Sequence, residues 1–391
     1  MVATKMNGAW RRLWSAGQSR EAVVLVCAIL IGVLFTAAGF LTRAFHVKET
    51  HLAADWFSRG NSSLAEGNAR EALDDFRSAL IFEPDSEQYQ LHLARALAQL
   101  GRPEEGRAYL LNLAAERPGD GEINFELARL AAQSGDTAAA THFYHAAIYG
   151  AWDADPIRSQ IRARFELSQL LVRQREKTLA EAELMSLAAN VPEQDSEMHT
   201  KVGDLYQTNG DLQRALQEYD QALNWSPQDL TALIGAGMVS FKLGNYTEAS
   251  AELEKAAHLD PGNKAVAETS ETARMVASAD PFAPHLSSQE RARRVANALE
   301  RATTRVDQCS ATLKGQNSEL ETLAAQAKSQ QKSIWAERNL SLHADQQDAA
   351  MQTVFKIEDA ANGICGEAAG IDAALLLLER KSRSTSQSTP E

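Results

Sequence analysis

The chain has 391 residues, 44% of them hydrophobic and 23% charged, with 22 Gly, 10 Pro and 3 Cys. That suffices for two or three domains with buried cores, and it excludes wholesale disorder, a collagen-like fibre and a disulfide-dense scaffold. The net charge of −13 argues against nucleic acid as a partner, because binding it takes clustered Lys and Arg.

The charge is uneven: residues 1–49 carry +4, residues 50–263 carry −15 and residues 264–391 carry −2. Residues 1–21 read as a short tail. Behind it, the whole stretch Ala22–Leu41 is without a charge. As a helix it covers about 30 Å, the thickness of a bilayer's hydrocarbon core. A cleaved signal peptide has a shorter apolar run and a small-residue site after it, and neither is present, so an uncleaved anchor is expected. Arg11, Arg12 and Arg20 precede the run and Arg43 and Lys48 follow it, which places the tail in the cytoplasm and the bulk of the chain outside it. Trp10 and Trp14 suit the headgroup level, and Ala28, Gly32 and Thr36 have a spacing that permits homo-association of the helix.

The middle of the chain repeats. Pro84 and Pro118 are separated by the same interval as Pro227 and Pro261, Gly203 and Gly237, and Gly210 and Gly244. Six units follow, at 53–86, 87–120, 121–154, 161–194, 196–229 and 230–263. Small residues recur at position 8 (Gly60, Ala94, Ala128, Ser168, Gly203, Gly237) and position 20 (Ala72, Gly106, Ala140, Ala180, Ala215, Ala249). They let two helices approach closely, while aromatics such as Phe76, Tyr144 and Tyr219 fill the gaps beside them. Gly67, Gly101, Gly135, Gly210 and Gly244 punctuate the turn between the helices, and Pro at position 32 stops the second one.

This pattern, and the length of its interval, resembles the tetratricopeptide repeat. It is similar in particular to membrane-anchored proteins of that superfamily in bacterial envelopes. The resemblance implies an all-α chain: an N-terminal transmembrane helix, a right-handed superhelix of about six repeats and further C-terminal helices. Two departures stand out. Trp152 replaces the third proline and a six-residue insertion, Asp155–Gln160, follows it; Arg175 replaces the fourth turn glycine. The junction is either a local irregularity or a hinge, and irregularity is the preferred reading. Residues 264–278 are expected to cap the stack.

In this family, side chains of each first helix line a concave groove. Transferred to this chain, that face carries Phe57, Asn61, Leu91, Arg95, Phe125, Arg129, Arg162, Phe165 and Gln169. An apolar ladder beside basic side chains suits an extended peptide or a partner helix with carboxylates. The clamp that some members use for a C-terminal carboxylate is missing, because Glu122 and Glu126 stand where it needs basic groups.

Residues 279–286 read as a linker. A helical module is expected over 287–381, opening on a capping box of Ser287 and Glu290 and carrying an apolar seam of Val295, Leu299, Ala302, Val306, Cys309 and Leu313. Gly315 and Gly363 divide it into helices, and residues 382–391 read as a disordered tail. In an up–down–up bundle Cys309 and Cys365 meet at one pole, so either they form a disulfide or they are two unconnected buried thiols.

No phosphate loop, GxGxxG, HExxH, CxxC or nucleophile elbow occurs in the sequence. His142 and His145 have a metal-ligand spacing but lack a third ligand. The sequons at Asn61, Asn245 and Asn339 matter only in a glycosylating pathway. The expectation is therefore a non-catalytic, single-pass inner-membrane scaffold or adaptor without cofactor or metal. It binds a protein or peptide outside the cytoplasm, in envelope assembly, secretion or chaperone-like roles. A spacer presenting the C-terminal bundle is the alternative, and an enzyme active within 287–381 a weaker one.

Overall fold

The computed structural model describes residues 20–312, 318–336 and 344–387. Trp10, Trp14, Arg11, Arg12, Gly315, Asn339 and the last four residues lie outside the described residues, and with them most of the orientation argument. Among the described residues every regular element is a helix, and the one isolated bridge pairs Asp120 with Ala151. The chain divides into two compact units, up to Leu167 and from Ser168 onward.

The first unit opens on α1 (Arg20–Ala65), a single helix of 46 residues. It joins the apolar run to the first repeat without interruption. Residues 42–59 contain neither Pro nor Gly, so nothing in the sequence stops the helix between them. Its apolar half is bare, with Phe35 81% and Phe40 76% exposed. From Ala53 onward it packs on α2 (Ala69–Phe82). The approach is close: a Cβ at Gly60 would lie 2.6 Å from the Phe76 ring, which is why the smallest residue stands there.

Two more antiparallel pairs follow, α3 (Glu87–Gln99) with α4 (Pro103–Glu116) and α5 (Gly121–Gln133) with α6 (Thr137–Ile148). Phe76, Leu93, Leu97, Leu110, Phe125 and Leu127 are fully buried between them. Gly67, Gly101 and Gly135 turn each pair in the left-handed conformation, which glycine adopts without strain. Where proline was replaced, the Trp152 indole packs on Phe125 at 5.9 Å and donates from Nε1 to the Ala147 carbonyl at 2.9 Å. The insertion does not loop out. Pro156 occupies the first position of α7 (Pro156–Arg173), a site suited to a residue without an N–H, and the extra residues lengthen that helix to 18. The division between the units falls inside α7.

The second unit continues with α8 (Lys177–Ala188), α9 (Ser196–Asn209), α10 (Leu212–Trp225), α11 (Leu230–Leu243), α12 (Tyr246–Leu259) and α13 (Lys264–Ala279). Arg175 takes over the glycine's task with φ 60°, a left-handed backbone on a residue with a Cβ. The remaining helices are α14 (Ser288–Thr312), α15 (Ser318–Ala336), α16 (Ala344–Cys365) and α17 (Ile371–Gln387). Ser287 Oγ accepts from the Glu290 amide at 3.1 Å, as an N-cap does.

Three expectations for this region are corrected. Gly363 does not end α16; the helix passes through it to Cys365, and Gly366, at φ 97°, ends it instead. The polar stretch after Lys381 is helical through Gln387, with Arg383 paired to Glu379 one turn earlier. Residues 279–286 are no free linker: Asp280 is 4% exposed, and Arg294 Nη1 donates to the carbonyls of Ala277 and Asp280, each at 2.9 Å. One apolar core runs from Tyr246 and Val276 of the repeat end through Val295, Leu299, Met351, Val354 and Leu378, so the four last helices are seated on α12 and α13.

Candidate functional site

In the first unit the first helices of successive pairs present a charged row. Arg95 of α3 donates from Nη2 to Glu122 Oε1 at 2.7 Å and from Nε to Glu126 Oε1 at 2.8 Å, both on α5. Arg129, one turn along α5, reaches back to Glu126 at 3.7 Å and forward to Glu166 of α7 at 3.3 Å. Tyr144 donates to Glu166 at 3.0 Å from the other side. Arg162 of α7 stacks its guanidinium 4.7 Å from the centre of the Phe125 ring. Burial raises the Glu166 carboxyl pKa, and the nearby Arg129 charge offsets part of that.

The apolar ladder is placed differently from the expectation. Leu91 and Phe125 are 6% and 1% exposed, and Phe57 is enclosed by Phe76, Tyr89 and His92, with ring centres 4.7–5.7 Å away. These side chains enter the gap between helical pairs, where a ring buries more apolar area than it would on an open face. Among the nine expected groove residues, Arg95, Arg129 and Arg162 join the charged row directly. Asn61 and Phe165 are half-buried in the first unit, and Gln169 is half-buried in the second. His92 lies behind the row, its Nε2 3.3 Å from Arg95 Nη1. Burial and then the Arg95 charge lower its pKa to about 4, so the imidazole is neutral near pH 7.

The carboxylates that complete the row were not expected as site residues. Glu122 and Glu126 stand 27 and 31 residues after Arg95, close to one repeat length, and that offset was the signal available in the sequence. In the fifth repeat, the residues equivalent to Phe125 and Arg129 are also engaged internally: Thr200 Oγ1 donates to Asp229 at 3.1 Å, and Asp204 accepts from Tyr219 Oη at 2.7 Å.

Helical pairs of this length, turned at left-handed glycines in all but the Arg175 turn and recurring at a regular interval on either side of the insertion, are the setting for the family comparison. The model of the tetratricopeptide repeat matches residues 63–124 and 207–269. Those two stretches are tetratricopeptide repeats. Neither match extends into α14–α17. No curated protein matches. Among solved structures, PilF of Pseudomonas aeruginosa is 15% identical with a TM-score of 0.43, the alignment covering 56% of this chain and 97% of that one. PilW, a type IV pilus biogenesis factor, is 16% identical with a TM-score of 0.44, covering 55% and 97%. The C-terminal part of a repeat-containing protein from Cytophaga hutchinsonii is 11% identical with a TM-score of 0.43, covering 79% and 98%.

A second polar cluster sits among the C-terminal helices. Arg301 holds Asp372 through two bonds of 2.5 and 2.8 Å, and the buried Arg305 pairs with the fully buried Glu358. Arg305 also donates to the Gly366 carbonyl at 3.1 Å. Burial pushes the Glu358 carboxyl pKa up to about 7, against the pull of Arg305. Beside this cluster the sulfurs of Cys309 and Cys365 are adjacent, with Cα atoms 5.6 Å apart, inside the span a disulfide bridges. Among the described residues no group of three or more His, Cys, Asp or Glu is arranged to hold a metal ion.

Proposed function

We propose that this protein is a non-catalytic, membrane-anchored scaffold whose first-helix face binds a polypeptide, with α1 as its single membrane span. The observation that carries the binding half is the charged row from Arg95 to Arg162. It crosses three successive first helices and stays half open to solvent, with Arg129 and Glu122 48% and 45% exposed. Because its charges are internally balanced, it suits a partner that inserts polar groups of both signs and exchanges ion pairs, rather than a uniformly acidic peptide. The apolar stripe of such sites is used here as core, so the partner adds area along the rim of the rings rather than between them.

The anchoring half rests on the bare apolar stretch of α1, whose hydropathy and length suit a bilayer. A bacterial inner-membrane setting, with residues after 41 outside the cytoplasm, is the accompanying reading. A bridge between Cys309 and Cys365 fits an oxidising compartment and belongs to the same proposal. The roles that follow are envelope assembly, secretion or chaperone-like holding. The seating of α14–α17 on the repeats favours a cap on the stack over a bundle held out on a spacer.

The test replaces Arg129 and Arg162 together with Glu, which inverts the open part of the row without emptying the core. Affinity recovery from solubilised membranes is then compared with the unaltered chain and with a Leu111→Ser control on a second helix. Selective loss of a co-purifying polypeptide in the double variant supports the proposal, and an unchanged set of partners contradicts it.

A further inference from the structure

The uninterrupted α1 fixes which edge of the first unit faces the membrane. The helix leaves the apolar run and ends at Ala65, and α2 returns along it, so the C-terminal end of α2 points back toward the run. The same edge can be followed residue by residue. Ala53, within α1, packs with Ala79 near the end of α2 and Tyr89 near the start of α3. Glu87 pairs with Arg117 at 2.6 Å, and Arg117 with Asp120 at 2.7 Å. Gly121 then donates to the Ala151 carbonyl at 2.7 Å, bringing the α6–α7 junction beside the start of α5.

The most exposed large apolar side chains of the unit beyond residue 52 all lie on this edge: Ile81 at 75%, Tyr149 at 77% and Ile157 at 67%. The opposite edge, at the glycine turns, carries Glu66, Asn68, Gln99, Gln133 and Asp136 instead. Single exposed apolar side chains are ordinary on a folded surface; what bears on the membrane is that Tyr149 and Ile157 share the edge that α1 turns toward it.

We propose that this edge rests on the bilayer, with Tyr149 and Ile157 entering the headgroup layer of a zwitterionic lipid surface. The inference depends on the reading that α1 spans the membrane. From Leu41 to Ala53 the helix rises about 18 Å, and the headgroup layer accounts for roughly 5–7 Å of that. Three further helix layers at 8–10 Å spacing carry the edge roughly 30 Å sideways. A helix tilt of about 20° toward that side, which the proposal requires, lowers the far end by about 10 Å and brings Tyr149 and Ile157 to the headgroups while Ile81, near the pivot, stays above them. Tyr is at home at that depth, with its ring in the apolar layer and its hydroxyl in water. Glu83, Asp85, Glu116, Asp153 and Asp155 also stand on the edge, so anionic lipid would repel it and a zwitterionic surface is the one that fits.

The full chain, with Cys27→Ser to remove its free thiol, is reconstituted in phosphatidylcholine vesicles. A fluorophore is placed through Tyr149→Cys or Ile157→Cys, and through Gln99→Cys or Gln133→Cys as controls. Quenching by headgroup-attached nitroxide is expected to be at least about threefold stronger at 149 and 157 than at the controls, and to persist in high salt. Equal quenching at both edges, or its loss in salt, overturns the inference while a carbonate-resistant chain keeps the anchor. If carbonate extracts the chain, the membrane span itself is refuted and the inference falls with it.

Discussion

Lys381 Nζ lies 3.0 Å from Asp280 Oδ2, a contact that spans 101 residues of sequence. It ties the last helix to the end of the repeat region. The Tyr246 hydroxyl reaches the Leu377 carbonyl at 3.5 Å beside it. The C-terminal helices are therefore part of the second unit's core.

Lys381→Met keeps the apolar stem but leaves the buried Asp280 carboxylate without its cation. The Lys side chain is 37% exposed, so solvent screening limits the effect. A loss of about 1–2 kcal/mol is expected in urea unfolding of the chain in detergent. An unchanged midpoint would mean that apolar packing alone seats the module.

Arg175 holds a left-handed backbone, at φ 60°, that the other described repeat turns assign to glycine. Arg175→Gly is expected to stabilise the chain by about 0.5–1 kcal/mol, because the left-handed penalty of a Cβ exceeds the extra freedom of glycine in the unfolded chain. Gly244→Ala, at φ 81°, is expected to cost about 1 kcal/mol, and thermal melts of both variants in detergent check the two signs.

Glu358 and His92 give the two units opposite pH responses. The folded-state pKa of Glu358 is raised from 4.5 to about 7, so its contribution is fully present below about pH 4.5 and is lost as pH rises through 7. His92 is lowered from 6.5 to about 4; its contribution is present above about pH 6.5 and is lost as pH falls toward 4. Hydrogen exchange at pH 5.5 and 8 should show the C-terminal helices better protected at the lower value and the α3–α5 region better protected at the higher one. Glu358→Gln should remove the first trend and leave the second.

Cys309 and Cys365 close a loop of 56 residues. If bridged, they contribute on the order of 4 kcal/mol by the chain-entropy model. Reduction should then lower the unfolding midpoint of the intact chain but not that of a Cys309→Ser, Cys365→Ser variant. Identical melts with and without reductant would identify them as thiols.

The helical pairs were legible in the sequence because each turn glycine and each small residue at positions 8 and 20 meets one local steric demand, repeated at a fixed interval. What surrounds Trp152 was not, because its indole is held by the Ala147 carbonyl and the Phe125 ring, a tertiary arrangement that no spacing encodes. The groove residues were half legible. Arg95 and Arg129 stand on the expected helices, but a residue letter does not reveal that Glu122, Glu126 and Glu166 already engage them. Leu91 and Phe125 look alike in sequence whether they face a ligand or the next helix, and the packing gap between pairs decided for the core. The continuity of α1 was present only as a missing helix breaker between residues 42 and 59, a weak signal beside the change from apolar to polar composition.

Photo-cross-linking in intact membranes distinguishes a binding face from a merely solvated one, with benzoylphenylalanine placed at Arg162 or Gln88 on the first-helix face, or at Leu111 or Leu179 on second helices. If the first-helix face binds a polypeptide, positions 162 and 88 yield one discrete polypeptide adduct that is absent from positions 111 and 179. No adduct from the first-helix face, or the same adduct from both faces, would contradict it.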